Sequence, residues 1–252
     1  MLSREELEKL KSSLGFNIWQ IERDYLQHLF LLFFSRRISD ELIFKGGTAL
    51  QKAYGLNRFS IDLDFTKNKD WPEKLFMEIG KEITLFGFET KIKEIKKVDA
   101  FLIKLEIKGP LYKGTERTLT VLRIEISSRE KVLLPPETRE IFPLYSDLSP
   151  YLVKIMALEE TLAEKVRAVL TRNKAGDIFD LRFLLNKKVR FNKELINEKL
   201  KPYGAPFSLK GLTEKIEAVG GIWDNELTQL TYPAPPFETV KREILQAISK
   251  IL

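Results

Sequence analysis

The stretch ELIFKGGTALQKAYGLNRFSIDLDFT, residues 41–66, constrains the fold more than any other part of the chain. ELIF predicts a short apolar strand, and TALQKAYG predicts a helix that starts at Thr48 and stops at Gly55. FSIDLDFT alternates apolar and polar residues, which is typical of a half-buried strand with Ile61, Leu63 and Phe65 facing a core. Two strands joined by a short helix indicate a sheet with helices packed on it.

The remaining segments predict the composition of that sheet. Helical spacing of apolar residues from Ser3 to about Arg37 predicts one or two helices before it, and PEKLFMEIGKEITLFG predicts a helix that ends at Gly87. Three alternating segments follow, and the turn residues of PLYKGTE predict that the last two pair as an antiparallel hairpin. These segments are FETKIKEIKK, AFLIKLEIKG and RTLTVLRIEISS.

The proline-rich, non-periodic segment LLPPETREIFPLYSDLSP predicts a domain boundary. From about Tyr151 onward the pattern is mostly helical, beginning with YLVKIMALEETLAEKVRAVL. The predicted fold class is an α/β (α+β) domain with a mixed sheet, residues 1–148 including N-terminal helices, followed by a mostly helical domain, residues 149–252. A cleft between two such domains is the expected place for a ligand site.

Composition excludes several kinds of site. The chain has no cysteine and one histidine, His28, so disulfides, cysteine-ligated metals and multi-histidine zinc sites are excluded. Any metal ion must be held by oxygen atoms, which favours Mg²⁺ or Mn²⁺. The longest apolar run, LFLLFF, is shorter than the roughly 18 residues of a membrane span, and Ser3 with Glu6 predicts a capping box at a folded N-terminal helix. We therefore expect no membrane association and a cytoplasmic protein.

The net charge of +6, with a pI near 9.2, is compatible with a polyanionic partner such as RNA. A lysine-rich surface is also ordinary solvation, so charge alone decides nothing. The many lysines and glutamates, together with the missing cysteine, resemble the composition of a thermophile's protein.

The segment Lys45, Gly46, Gly47 and Thr48 joins a strand directly to a helix. Such a turn presents backbone N–H groups at the helix start, where the helix dipole also favours an anion. A phosphate group could bind there. The alternative is a tight turn in which Thr48 only caps the helix.

Three acidic residues are candidates for a metal site. Asp62 and Asp64 lie two apart on a predicted strand, so their carboxylates share a face about 6.5–7 Å apart, where they repel each other without a cation. Glu125 projects from the strand Thr118 to Ser127, on the face of Val121, Arg123 and Ser127. If the two strands are neighbours, three carboxylates could hold two Mg²⁺ ions. The alternatives are solvated aspartates on an edge strand and a solvated glutamate.

The run FKGGTALQKAYGLNRFSIDLDF, Phe44 to Phe65, resembles the core motif of the AbiEii/AbiGii toxin family, minimal nucleotidyltransferases related to DNA polymerase β. LEETLAEKVRAVLTRNKAGDIFDL, Leu158 to Leu181, is similar to the helical motif of that family. The resemblance implies that Lys165 reaches the outer phosphates of a nucleotide as a flexible charge and that Asp177 completes the nucleotide site, with Asp180 three residues on. Gly176 stands where the family has an arginine, and Arg172 is a candidate substitute.

The resemblance implies an enzyme that moves a nucleoside monophosphate from an NTP to an acceptor hydroxyl, on the 3′ end of a tRNA. It also implies a toxin of a toxin–antitoxin or abortive-infection system, with a separately encoded antitoxin and two Mg²⁺ or Mn²⁺ ions per site. Two alternatives remain open: a protein or small-molecule acceptor, and a nucleotide- or RNA-binding module without catalysis. Arg58 either neutralises phosphate charge or locks the loop before Asp62.

The expected site residues fall into three groups. The catalytic residues are Asp62, Asp64, Glu125 and Lys165, and the metal ligands are Asp62, Asp64 and Glu125. The nucleotide-binding residues are Lys45, Gly46, Gly47, Thr48, Arg58, Lys165 and Asp177.

Overall fold

The computed structural model describes residues 1–96, 99–204 and 206–251, with the side chain of residue 96 left out. In these ranges the strands form a seven-stranded sheet in the order β3-β4-β5-β2-β1-β7-β6. Strand β2 runs parallel to β5 and β1 runs parallel to β7, while the other neighbours are antiparallel, so the predicted mixed sheet is confirmed. The strands are β1 (Leu42–Lys45), β2 (Leu63–Lys67), β3 (Thr90–Lys96), β4 (Ala100–Ile107), β5 (Thr120–Ser127), β6 (Glu137–Ile141) and β7 (Tyr151–Ile155).

Helices before and within the sheet cover one of its faces. The longest, α3, begins after a capping box between Asn17 and Gln20, and its apolar side packs on the sheet: the ring of Phe34 lies 4.7 Å from that of Phe65 on β2. Phe65 in turn lies 5.2 Å from Phe44 on β1, so aromatic contacts join helix and sheet. These helices are α1 (Arg4–Lys9), α2 (Lys11–Leu14), α3 (Ile18–Ser35), α4 (Gly46–Tyr54) and α5 (Leu75–Phe86).

Chain contacts divide the molecule into two compact units. The first contains residues 1–53, 59–132 and 136–155 and holds the sheet. The second contains residues 54–58, 133–135 and 156–252. The boundary between residues 148 and 149 that the sequence predicted stays a prediction; in the contact division, the strand before α6 belongs to the first unit. The helices of the second unit are α6 (Leu158–Thr171), α7 (Ala175–Asn186), α8 (Lys193–Leu200), α9 (Leu209–Glu217), α10 (Trp223–Leu227) and α11 (Phe237–Ser249).

The prediction of a helix from Tyr151 is wrong for its first residues. Tyr151–Ile155 is strand β7, which pairs with β6, and through Ile155 with Phe44 of β1. YLVKI alternates buried and more exposed residues, but it is too short to be distinguished from the helix that follows it, which is also rich in apolar residues. Strand β6 likewise lies inside the proline-rich segment that the sequence predicted to be a domain boundary without regular structure.

The strand predicted for FSIDLDFT is shorter than expected. Strand β2 begins at Leu63, so Asp62 lies just before it, and Ile61 is 45% exposed where the sequence predicted a core position. The residues before β2 are held by side chains of two helices, which are described with the site below. The hairpin of β4 and β5 is confirmed by their antiparallel register.

In the second unit a buried lysine joins α8 to α6. The Nζ of Lys199 lies 2.5 Å from Glu160 Oε1 and 3.1 Å from Glu164 Oε1. The carboxylate of Glu160 also accepts hydrogen bonds from the backbone N–H groups of Leu133 and Leu134. A distant short segment is thereby fixed to α6. None of the described helices is long and apolar enough to cross a bilayer.

A polar cluster lies buried beneath α3 in the first unit. Asp24 binds Lys52 at 2.7 Å and accepts a hydrogen bond from the hydroxyl of Tyr145 at 2.8 Å. His28 lies 3.6 Å from Asp24 and bonds through Nδ1 to the hydroxyl of Tyr151 at 2.9 Å. Burial lowers the pKa of His28 to about 3, and Lys52 adds to this effect against the opposing influence of Asp24. His28 is therefore neutral at pH 7 and makes no ion pair with Asp24.

Because the pKa of His28 is about 3 in the folded chain and about 6.5 when unfolded, the unfolded chain binds the extra proton between these values. We expect acid to destabilise the wild type by about 2 kcal/mol more than His28→Gln between pH 7 and pH 5, measured by urea unfolding. Equal losses of unfolding free energy in the two proteins would contradict the lowered pKa of His28. The ring proton signals of this only histidine should show no titration above about pH 4 in NMR spectra.

Candidate active site

Two of the predicted acids are direct neighbours in the sheet. Asp64 on β2 and Glu125 on β5 are register partners in the parallel pairing of these strands. Register partners project from the same face, and neighbouring strands lie about 4.8 Å apart. The opposite face carries Phe65 and Ile124, which are fully buried. The alternation of both strands therefore places two carboxylates side by side on the polar face.

Lys45 continues this row on the other side of Asp64. It is the register partner of Asp64 on β1, and its Nζ lies 3.4 Å from Oε2 of the buried Glu130. Lys45 itself is buried. A cation thus stands in the strand next to the acid pair, which offsets part of the repulsion between the carboxylates.

Gly46 makes room for the carboxylate of Asp64. Its φ of 76° is in the left-handed region, and a Cβ atom added to it would lie 2.5 Å from Asp64 Oδ2. Any side chain at this position would push the carboxylate away. The sequence predicted a phosphate at this turn; in the structure, the group that approaches Gly46 closely is the Asp64 carboxylate.

Asp62 lies two residues before Asp64, just ahead of the first residue of β2. Its Oδ1 atom is buried, hydrogen bonds to no atom of the described residues, and lies 3.9 Å from Nε of Arg123. Its charge also raises the pKa of Arg23, although burial lowers that pKa overall. Within the described ranges, no three histidine or acidic side chains are grouped closely enough to hold one ion. A joint metal site of Asp62, Asp64 and Glu125 therefore stays a prediction.

Two glutamines hold the backbone that leads to Asp62. Nε2 of Gln27 on α3 donates to the carbonyl oxygens of Ser60 at 3.0 Å and Ile61 at 2.9 Å. Oε1 of Gln51 on α4 accepts from the N–H of Ser60 at 2.9 Å, while its Nε2 donates to the buried Asp24. These hydrogen bonds satisfy consecutive peptide groups that have no strand partner. They thereby fix the position of the backbone directly before Asp62. Both glutamines look like ordinary helix residues in the sequence, which explains why sequence reasoning missed them.

Thr48 also holds the backbone next to Asp62. It is fully buried, and its hydroxyl donates to the carbonyl oxygen of Asp62 and lies 2.8 Å from Oγ of Ser60. Helix α4 begins at Gly46, so Gly47 and Thr48 form its first turn. The Thr48 side chain therefore anchors the acid strand, and the first-turn N–H groups of Gly47 and Thr48 are the parts suited to a phosphate.

In the second unit, Lys165 is the centre of a buried ion-pair network. Its Nζ lies 2.9 Å from Asp177 Oδ1 and 2.7 Å from Asp180 Oδ2. Burial opposes the charge of Lys165, but the two carboxylates raise its pKa above the ordinary value. The sequence predicted a flexible charge at Lys165; in the structure its ammonium group is buried and held by two acids.

Two arginines complete this network. Nε and an Nη atom of Arg58 each lie 2.6 Å from an oxygen of Asp180, a bidentate pair. Arg172 binds Asp177 in the same way, at 2.7 and 3.0 Å. Burial raises the pKa of Asp177, but Lys165 and Arg172 hold it far below its usual range. Arg172 contacts the predicted aspartate, and Arg58 locks its own segment to α7.

A family model described as a nucleotidyl transferase AbiEii toxin of type IV toxin–antitoxin systems matches residues 32–243. The chain belongs to this family. The resemblance seen in the sequence is confirmed, and the protein is a nucleotidyltransferase toxin of a type IV toxin–antitoxin system. Members of this family use an NTP and a divalent metal, and an antitoxin partners the toxin.

Solved structures support the fold of this AbiEii-family chain. MenT4, a nucleotidyltransferase toxin from Mycobacterium tuberculosis H37Rv, is 20% identical with a TM-score of 0.73, and the match covers 100% of this chain and 90% of that chain. JHP933 from Helicobacter pylori is 21% identical with a TM-score of 0.62, covering 94% of this chain and 93% of the other. At these identities the likeness shows the fold alone. Among curated proteins, none matches the chain.

The close approach of Gly46 and Asp64 gives a direct test in this AbiEii-family toxin. Alanine at Gly46 and at Gly55 should each cost about 1–2 kcal/mol, because both residues have positive φ. Only Gly46→Ala displaces the Asp64 carboxylate, since nothing lies within 4 Å of a Cβ at Gly55. We expect a loss of nucleotide transfer of about 100-fold for Gly46→Ala alone. Equal activity in the two variants would show that the contact with Asp64 is irrelevant.

The buried network predicts an unequal cost for two similar substitutions. Asp180→Asn leaves Arg58 without its bidentate partner and Lys165 with one carboxylate, so it should destabilise the fold by about 3–5 kcal/mol. Asp70→Asn removes an acid that is 92% exposed and paired with Lys67, and it should cost less than about 1 kcal/mol. Chemical unfolding of both variants measures the difference, and similar midpoints would refute the role given to Asp180.

Proposed function

We propose that the chain transfers a nucleoside monophosphate from an NTP to the terminal 3′ hydroxyl of a tRNA, with Asp62, Asp64 and Glu125 around the reacting groups. The observation that carries the proposal is the register of β2 and β5, which sets Asp64 beside Glu125 next to the Gly46 turn. A pair of carboxylates on one face repels a phosphate group by itself, but it suits a phosphate tail that carries a divalent cation.

The residues fit an oxygen-bound divalent ion such as Mg²⁺. Asp62 has a buried oxygen that hydrogen bonds to no described residue, and Asp64 and Glu125 are adjacent. These three residues would hold the ions, and a pair of bound ions would lower the pKa of the acceptor hydroxyl and neutralise charge at the phosphates. The donors are all carboxylate oxygens, as hard cations require.

In the proposed reaction the acceptor oxygen bonds to the α-phosphorus of the NTP, and the bond to the β-phosphate breaks. Pyrophosphate leaves with the electron pair of that bond. The exposed carboxylate of Glu125 accepts the proton of the hydroxyl, so no covalent intermediate with the protein is needed. The first turn of α4, with Gly47 and Thr48, binds phosphate oxygens through backbone N–H groups, and Lys45 adds positive charge beside Asp64.

The second unit enters the proposal through the resemblance of its helical motif. Lys165 and Asp177 are assigned to nucleotide binding on that ground, with Arg58 beside them in the same network. Because Lys165 is held by two carboxylates, its contribution is a fixed positive charge whose position depends on α7.

Asp62→Asn keeps the size of the side chain and removes its charge, so transfer should fall by at least about 100-fold while NTP affinity falls less than about tenfold. The assay mixes the toxin with each labelled NTP in turn and separate pools of tRNA, protein and small-molecule acceptors. Asp40→Asn, at a partly exposed acid paired with Lys69, is the matched control and should transfer as the wild type does.

Unchanged transfer by Asp62→Asn would refute the assignment of Asp62. Label on the protein or small-molecule pool, with none on tRNA, would refute the acceptor and keep the reaction. Oxidising the 3′-terminal ribose of the tRNA with periodate removes the proposed hydroxyl and should abolish labelling. Growth inhibition that survives Asp62→Asn would favour a binding module over an enzyme.

A further inference from the structure

A row of cations crosses the polar face of the sheet beside the acids. Lys93 on β3 is the register partner of Lys104 on β4, and Lys104 is the register partner of Arg123 on β5. Register partners share a face, so the three side chains form one line perpendicular to the strands. The line ends at Asp62, whose Oδ1 lies 3.9 Å from Nε of Arg123.

This part of the face is open to solvent. The side chains of Lys93 and Arg123 are each 53% exposed, and Lys91 is exposed as well. The opposite face of the same strands is core: Ile103, Leu105 and Ile124 on it are buried. Lys93 and Arg123, with the half-buried Lys104 between them, therefore lie on an accessible surface that continues from the acid pair towards the β3 edge of the sheet.

The charge on this surface exceeds what its own acids neutralise. Nζ of Lys93 lies 2.7 Å from Oε1 of Glu106, and this hydrogen bond is the main cause that lowers the pKa of Glu106. Lys91 and Lys104 lower it further, so three lysines surround one glutamate. Arg123 adds a fourth cation at the end that meets Asp62. Glu116 also acts on Lys93, and Asp62 offsets Arg123, so the three lysines exceed the two glutamates by one positive charge, which complements a polyanion.

We propose that Lys93, Lys104 and Arg123 form the surface on which the sugar–phosphate backbone of an RNA acceptor lies while its end reaches the carboxylates. This inference rests on the proposed function, because the surface is where the proposed RNA acceptor would bind. Cations spaced one strand apart neutralise successive phosphates, and such contacts bind the strand without reading its bases. The strand then runs from the edge strand β3 towards Asp62.

The test compares two double variants. Lys93→Ala with Lys104→Ala removes two cations of the row, and Lys74→Ala with Lys81→Ala removes two exposed lysines near or on α5, which packs on the other face. Fluorescence anisotropy with a labelled single-stranded RNA gives Kd as a function of salt. Each lost phosphate contact should reduce the slope of log K against log salt by about 0.7, so the first variant should lose about 1.4 and bind at least about tenfold more weakly at 0.1 M salt.

The control variant should keep the slope and affinity of the wild type, and both variants should bind NTP with wild-type affinity in equilibrium dialysis. Equal slopes in the two double variants, or no RNA binding by the wild type, would overturn the proposed surface. A polyglutamate chain that competes as well as RNA would also overturn it, whereas single-stranded DNA of the same length should compete, because the backbone is what is bound.

The proposed function can fail separately from this surface. If RNA binding depends on Lys93 and Lys104 but no RNA is labelled by any NTP, the surface stands and the transfer to RNA does not. If RNA is labelled equally by wild type and the Lys93 and Lys104 double variant at limiting RNA, the transfer stands and the surface is refuted.

Discussion

The parallel pairing of β2 with β5 is the constraint on which the rest of the site depends. It sets Asp64 beside Glu125, an arrangement that electrostatic repulsion opposes and that the backbone register imposes. The surrounding structure accommodates it: Lys45 stands on the next strand, and Gly46 has no side chain where the Asp64 carboxylate lies. Repulsion between the two carboxylates is thus built into the fold by the pairing of the strands.

The two units use charge differently. In the sheet unit, the acids lie at a polar face, and helix side chains fix the backbone between them and α4. In the helical unit, the buried Lys165 and Arg58 pair with Asp177 and Asp180, and Arg172, whose side chain is 49% exposed, also binds Asp177. Buried ion pairs of this kind add little net stability, because the cost of removing the charges from water offsets their attraction. Removing one partner is costly, since it leaves an uncompensated buried charge, and the pairs therefore fix the geometry.

Sequence patterns predicted most of the sheet and which acids share its polar face, but not the residues that position them. Alternation in RTLTVLRIEISS showed Arg123 on the face of Glu125, yet its meeting with Asp62 needed the strand order. YLVKI was too short to separate from the helix after it, so the strand β7 was missed. Gln27, Gln51 and Asp180 act through tertiary partners far away in the chain, which periodicity does not reveal.

Arg58 has a consequence for dissecting the protein by truncation. Arg58 lies in a five-residue segment, residues 54–58, that belongs to the helical unit, as do residues 133–135. A fragment that starts at residue 156 would lack both segments. It would keep the carboxylates of Asp180 and Glu160 but lack the guanidinium and the backbone N–H groups that they bind. The helical unit is therefore assembled from three separate stretches of the chain, and no single cut yields it whole.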